Sequence, residues 1–345
     1  MCQPLPSPNH VPINNIEVPT ENLHESFSDP YYGFTRDVRY VGYFETVQHQ
    51  QIVVALKTAI KQGQLVALSG IVGCGKTTTL HRLQEVLGHE PDIVVSKSLA
   101  VDKDRVHLGT LIMALFYDLA PEKDVPIPTQ PEKRERQLLE LIHKRRKTIA
   151  LFIDEAHDLH SRTLLGLKRL MELVRASGET LSVILAGHPK LTNDLHRPAL
   201  EEIGARATVF LLDGVKGQQR AYITWLLEHC TLAQTREDVL TDSALTLLAD
   251  RLTTPLQIEY YLTRALEEGY KVGQKPITPD LIESVLARDL DDLEPRLTRH
   301  GYNAKTLADL LNVRPADIRA FLAGRLPPSR TQELQQELLA AGLPL

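Results

Sequence analysis

The sequence predicts an α/β fold: a P-loop domain with a parallel sheet, followed by a helical lid and a small C-terminal helix-turn-helix-like domain. Short apolar runs alternate with amphipathic helical stretches up to about residue 215, which is typical of a parallel sheet with helical crossovers. A glycine-rich loop lies between the first apolar run and the helix after it. Beyond Gly217 the apolar residues recur only at helical spacing.

The N-terminal region has two parts. Residues 1–28 are rich in Pro, Asn, Ser and His without a sustained hydrophobic period, and we predict a flexible tail there. Residues 31–43 carry aromatic side chains that fit either a nucleotide base or the domain edge. Residues 48–60 are predicted to form a helix.

The glycine-rich loop covers residues 70–77 and has the phosphate-binding spacing of Gly, four residues and then Gly-Lys-Thr. In such a loop backbone N–H groups bind phosphate, the lysine reaches the β- and γ-phosphates, and the hydroxyl ligates Mg²⁺. The flanking strand and helix disfavour a chance glycine-rich turn. We therefore expect ATP and Mg²⁺ as cofactors, with Thr77 as a metal ligand. The expected nucleotide-binding residues are Gly70, Gly73, Cys74, Gly75, Lys76, Thr77 and Thr78.

The core domain is expected to span residues 29–215. Its strands are predicted at 65–68, 93–95, 148–153, 181–185 and 207–211. Its helices beyond the P-loop are predicted at 108–119, 136–147 and 163–176.

Two acids end the third predicted strand. A P-loop needs a carboxylate on a neighbouring strand to hold Mg²⁺, so Asp154 is the expected second metal ligand. Glu155 is then placed as the general base for the water that attacks the γ-phosphate; an exposed strand end is the alternative. With His157 these acids spell a four-letter helicase pattern, but no second helicase-like core follows, and we expect His157 to be an ordinary polar residue.

A histidine ends the fourth predicted strand. Parallel strands end at the same edge of a sheet, so His188 is expected beside the P-loop, where it could act on the γ-phosphate or the attacking water. The alternative is a Gly-His-Pro turn whose histidine faces solvent.

In this order the motifs resemble those of the AAA+ ATPases, within the group that includes the ExeA-type ATPases and the transposition regulators TniB, TnsC, IstB and the bacteriophage Mu B protein. The resemblance covers residues 31–290 and includes residues 202–206 before the fifth strand. In that family an arginine of one subunit completes the next subunit's site. Arg206 matches this position, Arg197 is the second choice, and a plain surface arginine is the alternative.

The sequence departs from the family pattern in the lid, which is predicted for residues 216–294. Many AAA+ proteins place a sensing arginine early in a lid helix, whereas residues 254–258 contain only Gln257 as a polar candidate. This departure implies a slow ATPase used as a switch. The three lid helices that begin near residues 242, 255 and 279 each follow a threonine N-cap.

The C-terminal domain is predicted for residues 295–345, where the charge reverses. Six acids oppose one arginine over residues 279–294, whereas seven basic residues oppose two acids over 295–330. Residues 306–322 resemble a helix-turn-helix with Asn312 in the turn. Its expected core is Leu307, Leu311, Val313, Ile318 and Leu322, and the arginines expected to face DNA are Arg314, Arg319 and Arg325. A protein-docking domain is the alternative.

The core contributes two further candidate DNA contacts. Loops after the second strand line the channel of ring or filament AAA+ proteins, and Lys103 and Arg105 lie in that loop here. We expect them to bind the DNA backbone without reading sequence.

Composition limits the location and partners. A net charge of −5, dispersed cysteines and no signal sequence or long apolar run predict a cytoplasmic protein with no membrane partner. The resemblance implies an ATPase that oligomerises on duplex DNA as a ring or helical filament and recruits or activates a transposase, with hydrolysis driving release. The alternatives are an ExeA-like secretion-associated assembly ATPase and a non-hydrolysing nucleotide switch that scaffolds proteins.

Overall fold

The computed structural model describes residues 31–98, 106–120, 127–231, 236–286, 293–322 and 325–343. The predictions for residues 1–28, Lys103 and Arg105 therefore lie outside the described residues. The strands are β1 (Leu65–Ser69), β2 (Ile93–Lys97), β3 (Thr148–Ile153), β4 (Leu181–Gly187) and β5 (Ala207–Leu211). They form one sheet in the order β2-β3-β4-β1-β5, and every neighbouring pair is parallel.

Both faces of the sheet are covered by helices. These are α1 (Val47–Lys61), α2 (Lys76–Gly88), α3 (Leu108–Leu119), α4 (Pro131–Arg145), α5 (Ser161–Ala176), α6 (Pro189–Leu195) and α7 (Glu201–Gly204). Leu65 and Ala67 of β1 pack into one apolar cluster, whereas Val66 and Leu68 pack into the cluster on the other face. All five residues of β1 are buried, which explains why the strand is a continuous apolar run rather than an alternating one.

Helices α4 and α6 begin where the sequence analysis predicts no helix start. Helix α4 begins five residues earlier than predicted, at Pro131, and helix α6 begins at Pro189 in the stretch described as a turn. Both prolines occupy the first helical turn, where the missing N–H leaves no hydrogen bond unmade and the fixed φ favours helix.

The lid contains α8 (Gln219–Cys230), α9 (Asp242–Arg251), α10 (Pro255–Lys271) and α11 (Pro279–Leu286). The predicted N-caps at Thr241 and Thr254 are confirmed, since each side chain accepts a backbone N–H of its helix. The lid core also buries Tyr32 and Phe34 from the chain before the sheet. These aromatic side chains therefore pack on the lid rather than on a nucleotide base.

The C-terminal helices are α12 (Leu293–Arg299), α13 (Ala304–Leu311), α14 (Pro315–Leu322) and α15 (Pro328–Ala340). Asn312 has a left-handed backbone with φ of 53° and ends α13, as expected for the turn. Leu307 and Ile318 are fully buried in the core of this domain, which also buries Phe321, a residue that the sequence analysis did not name. Leu311, Val313 and Leu322 pack against that core with partial burial.

In the described part of the chain, the helices fall short of the length and apolar character that crossing a membrane would require.

Candidate nucleotide-binding site

The P-loop connects the end of β1 to α2, which begins at Lys76. Gly73 and Gly75 have φ of 77° and 97°, a region that side chains rarely adopt. A Cβ added at Gly73 would lie 2.4 Å from the Cβ of Leu256 in the lid. Glycine is thus required at residue 73 both by the backbone and by the close approach of the lid.

Lys76 lies inside the loop and is only 6% exposed. Its Nζ donates hydrogen bonds to the carbonyl oxygens of Gly70 at 2.9 Å and Ile71 at 3.0 Å. A buried ammonium needs such acceptors, and these two hold its charge at the loop, within reach of a bound phosphate.

The two expected metal ligands meet in the structure. The Thr77 hydroxyl donates to Oδ2 of Asp154 at 2.8 Å, although the residues are far apart in the sequence. Hydroxyl and carboxylate oxygens are the ligands that Mg²⁺ prefers, and Mg²⁺ takes its remaining ligands from phosphate and water. The residues present therefore fit a Mg²⁺ ion held by Thr77 and Asp154.

The strand order places a histidine between the P-loop and the acids. Strand β4 lies between β1 and β3, so His188 after β4 emerges between the loop and Glu155. Glu155 has a left-handed φ of 52°, which is sparsely populated for a residue with a side chain. This backbone turns its carboxylate into the pocket, which His188 also lines.

His157 and His188 form a stacked pair. Their ring centroids lie 3.9 Å apart with an interplanar angle of 15°. Nδ1 of His157 lies 3.2 Å and Nε2 of His188 lies 3.7 Å from Oε2 of Glu155. We expected His157 to be an ordinary polar residue, but it stacks on His188 beside the Glu155 carboxylate. The four-letter helicase pattern was the one sequence signal for this residue.

Both histidines are neutral at pH 7. Burial lowers the pKa of His157 to about 4, with Lys190 as the next cause. Burial likewise lowers the pKa of His188 to about 4, with His157 as the next cause. The imidazoles therefore surround Glu155 without adding a positive charge, and they can orient the carboxylate or a water beside it.

A pocket of about 270 Å³ lies between the P-loop, Glu155 and the lid. Its lining residues are Val72, Gly73, Gly75, Lys76, Thr77, Thr78, Glu155, His188, Pro255, Leu256 and Glu259. Gln257 is not among the lining residues. Its Oε1 instead accepts hydrogen bonds from the backbone N–H groups of Thr253 and Thr254, both at 3.3 Å, and so caps α10. Glu259 was not singled out by the sequence analysis, since it belongs to no phosphate-binding motif.

The C-terminal domain contacts this site. The Val72 N–H in the P-loop donates to the Arg299 carbonyl at 2.9 Å, and Asn193 Nδ2 donates to the Tyr302 hydroxyl at 2.7 Å. A Cβ added at Gly301 would lie 2.7 Å from Nδ1 of His188. The last residue of α12 therefore contacts the P-loop, and the segment after it packs against His188.

Arg206 lies at the opposite edge of the sheet. Ala207 pairs with Leu65, the first residue of β1, whereas the P-loop follows the last residue of that strand. Five strand residues span about 17 Å. Arg206 is 65% exposed, and its Nη1 lies 2.8 Å from Oε1 of Glu172. It cannot reach the P-loop of its own chain.

The other candidate arginines lie on the surface. Arg197, the second choice, has its Nε 3.2 Å from Oδ1 of Asp194. Arg314 is 83% exposed and pairs with Asp317 at the start of α14. Arg319 and Arg325 are exposed on and after the same helix.

Residues 59–195, less than half of the chain, match the family model described as AAA domain. The ORC2 protein of Aeropyrum pernix, solved as ADPNP-ADP complexes, has a TM-score of 0.53 at 14% identity, covering 90% of this chain and 91% of that chain. Drosophila ORC bound to DNA has a TM-score of 0.52 at 14% identity, covering 97% of this chain and 88% of that chain. No curated protein matches the sequence. The fold is that of a P-loop AAA+ domain, and the resemblance to transposition regulators stays a prediction.

Proposed function

We propose that this protein is an AAA+ ATPase that binds duplex DNA in an ATP-dependent manner. The observation that carries the proposal is the meeting of Thr77 and Asp154 beside Lys76, with Glu155 directly after Asp154. These groups supply the phosphate cradle, the metal ligands and the base that ATP hydrolysis requires.

Each group has a chemical task. Lys76 and the N–H groups of the P-loop bind the phosphates. Thr77 and Asp154 would hold a Mg²⁺ ion, which would supply positive charge beside the phosphates. Glu155 accepts a proton from the attacking water, and the neutral His188 orients that water or carboxylate.

Hydrolysis requires a second copy of the chain. Arg206 lies before β5, at the end of the sheet opposite the P-loop, and the length of β1 separates the two ends by about 17 Å. If Arg206 acts on a γ-phosphate, that phosphate therefore belongs to the site of a neighbour. There its guanidinium would stabilise charge on the transferred phosphoryl group, and loss of the γ-phosphate would weaken the contact between subunits. This supports a homo-oligomer, either a ring or a helical filament.

DNA binding is proposed for the basic C-terminal domain, through Arg314, Arg319 and Arg325, and for Lys103 and Arg105 of the core. The exposed arginines and the likeness in fold to Drosophila ORC bound to DNA support this assignment. The contacts of Val72 with the end of α12 and of His188 with the segment after it provide a route by which nucleotide alters the position of that domain. The partner implied by the sequence resemblance is a transposase or another transposition protein, in the cytoplasm.

The test measures binding to a fluorescent duplex with ATP, ADP or no nucleotide, at two salt concentrations. We expect tight, salt-sensitive binding only with ATP. Lys76→Ala should abolish it, whereas Lys61→Ala, an exposed lysine on α1, should not. Equal binding in all three nucleotide states would disprove the switch. ATP turnover that is lost in Glu155→Gln would exclude a non-hydrolysing scaffold.

A further inference from the structure

An acidic side chain lines the nucleotide pocket on the lid side. Glu259 lies on α10 and faces the same pocket as the P-loop and Glu155. A carboxylate directed at phosphate would be repelled by like charge, and the phosphate-binding groups are already supplied by the P-loop. Glu259 therefore needs a different part of the ligand as its partner.

The geometry of α10 indicates which part this is. The Leu256 N–H donates to the Gly73 carbonyl at 3.4 Å, so the first turn of α10 lies over the P-loop. Glu259 follows three residues later on the same helix face, about 5 Å further along the helix, and it still lines the pocket. A nucleotide with its phosphates in the P-loop would extend past Leu256 and bring its ribose or base to Glu259.

The carboxylate is held in place by an aromatic residue. The Tyr222 hydroxyl donates to Oε1 of Glu259 at 2.5 Å, and Tyr222 is itself only 5% exposed. Its ring packs edge-on against Phe44 at 5.3 Å. Within the described ranges no lysine, arginine or histidine lies within salt-bridge distance of Glu259. Burial raises the pKa of this carboxyl above its ordinary value. Tyr222 occupies Oε1, which leaves Oε2 for the ligand.

We propose that Glu259 is a specificity residue that accepts a hydrogen bond from a donor of the bound nucleoside, either a ribose hydroxyl or the amino group of the base. The proposal rests on ATP binding at the P-loop. Oε1 of Glu259 already accepts a hydrogen bond from Tyr222, and Oε2 offers a further acceptor, so the carboxyl group favours ligands with a donor at that place. A ligand that lacks the donor leaves the partly buried carboxylate without a partner and binds more weakly.

The experiment measures dissociation constants by calorimetry for ATP, 2′-deoxy-ATP, 3′-deoxy-ATP, GTP and inorganic tripolyphosphate. We expect the full chain to prefer ATP over at least one of the three nucleotide analogues by about tenfold, the effect of one hydrogen bond to a charged acceptor. Weaker binding of either deoxy nucleotide than of ATP identifies a ribose hydroxyl as the donor. Weaker binding of GTP than of ATP identifies the amino group of the base. Glu259→Ala should abolish the preference while tripolyphosphate affinity stays the same.

Two further variants distinguish the loss of the carboxylate contact from a loss of folding. Tyr222→Phe removes the hydroxyl that holds the carboxylate and should weaken the same preference, with the far-UV spectrum unchanged. Glu267→Ala removes an acid from the same helix outside the pocket lining and should retain the preference. Unchanged ratios among the nucleotides in Glu259→Ala would overturn the inference. Failure of ATP to bind, or equal binding by Lys76→Ala, would instead refute the nucleotide site itself.

Discussion

Substitution of Gly301 by alanine should release the C-terminal domain from the nucleotide site. Gly301 has φ of 88°, and a Cβ there would lie 2.7 Å from Nδ1 and 2.8 Å from Cβ of His188. The left-handed backbone costs alanine about 1 kcal/mol whether or not the domain is docked. The clash adds about 1–3 kcal/mol in the docked state alone, since neither His188 Cβ nor the backbone can easily shift.

Gly342 provides a matched control for the backbone effect. It lies in the same domain and has φ of 74°, but nothing lies within 4 Å of the added Cβ. Gly342→Ala should therefore lower the stability of the domain by the free-energy cost of a left-handed alanine, without affecting docking. The difference between the two variants isolates the contact with His188.

Hydrogen exchange of the Val72 amide reports docking directly, because that N–H donates to the Arg299 carbonyl. If Gly301→Ala lowers the free energy of docking by about 1–3 kcal/mol, the exchange rate of the Val72 amide rises by about 5- to 150-fold. The ratio of DNA affinities with ATP and with ADP should fall toward one in the same variant. The reasoning is refuted if Gly301→Ala has the same Val72 exchange rate and the same ratio of DNA affinities with ATP and ADP as Gly342→Ala.

Three other predictions concern the catalytic groups. Glu155→Gln should lower kcat by about 10²- to 10⁴-fold while ATP affinity, measured by calorimetry, is retained; a smaller effect would remove the general-base role. Arg206→Ala should be inactive alone but regain turnover when mixed with Glu155→Gln subunits, whereas Arg197→Ala should stay active; inactive mixtures would argue against action between subunits. The pKa of His157 is lowered to about 4 in the folded state, so the unfolded state binds more protons between about pH 4 and 6.5. The free energy of unfolding should thus fall as pH drops through that window. In urea melts His157→Gln should reduce the slope of this dependence, and the part that remains comes from His188, whose pKa is also lowered to about 4.

Local sequence patterns were sufficient for the elements and for part of the site. The P-loop pattern and the acids at a strand end predict that Lys76, Thr77 and Asp154 lie together, because parallel strands end at one edge of the sheet. In the structure Thr77 contacts Asp154. Capping residues such as Thr254 mark helix starts, because their side chains bond to N–H groups only three residues away. These interactions involve near neighbours or a general rule of the fold, and they can be inferred without coordinates.

Contacts between distant segments required the folded chain. Strand β4 lies between β1 and β3, and this order brings His188 onto His157 and Glu155. Packing of the lid and of the C-terminal domain places Glu259 in the pocket and Gly301 against His188. Arg206 directly precedes β5 and therefore lies at the end of the sheet opposite the P-loop. Hydrophobic periodicity determines which face of an element is buried, but it does not specify which other element covers that face.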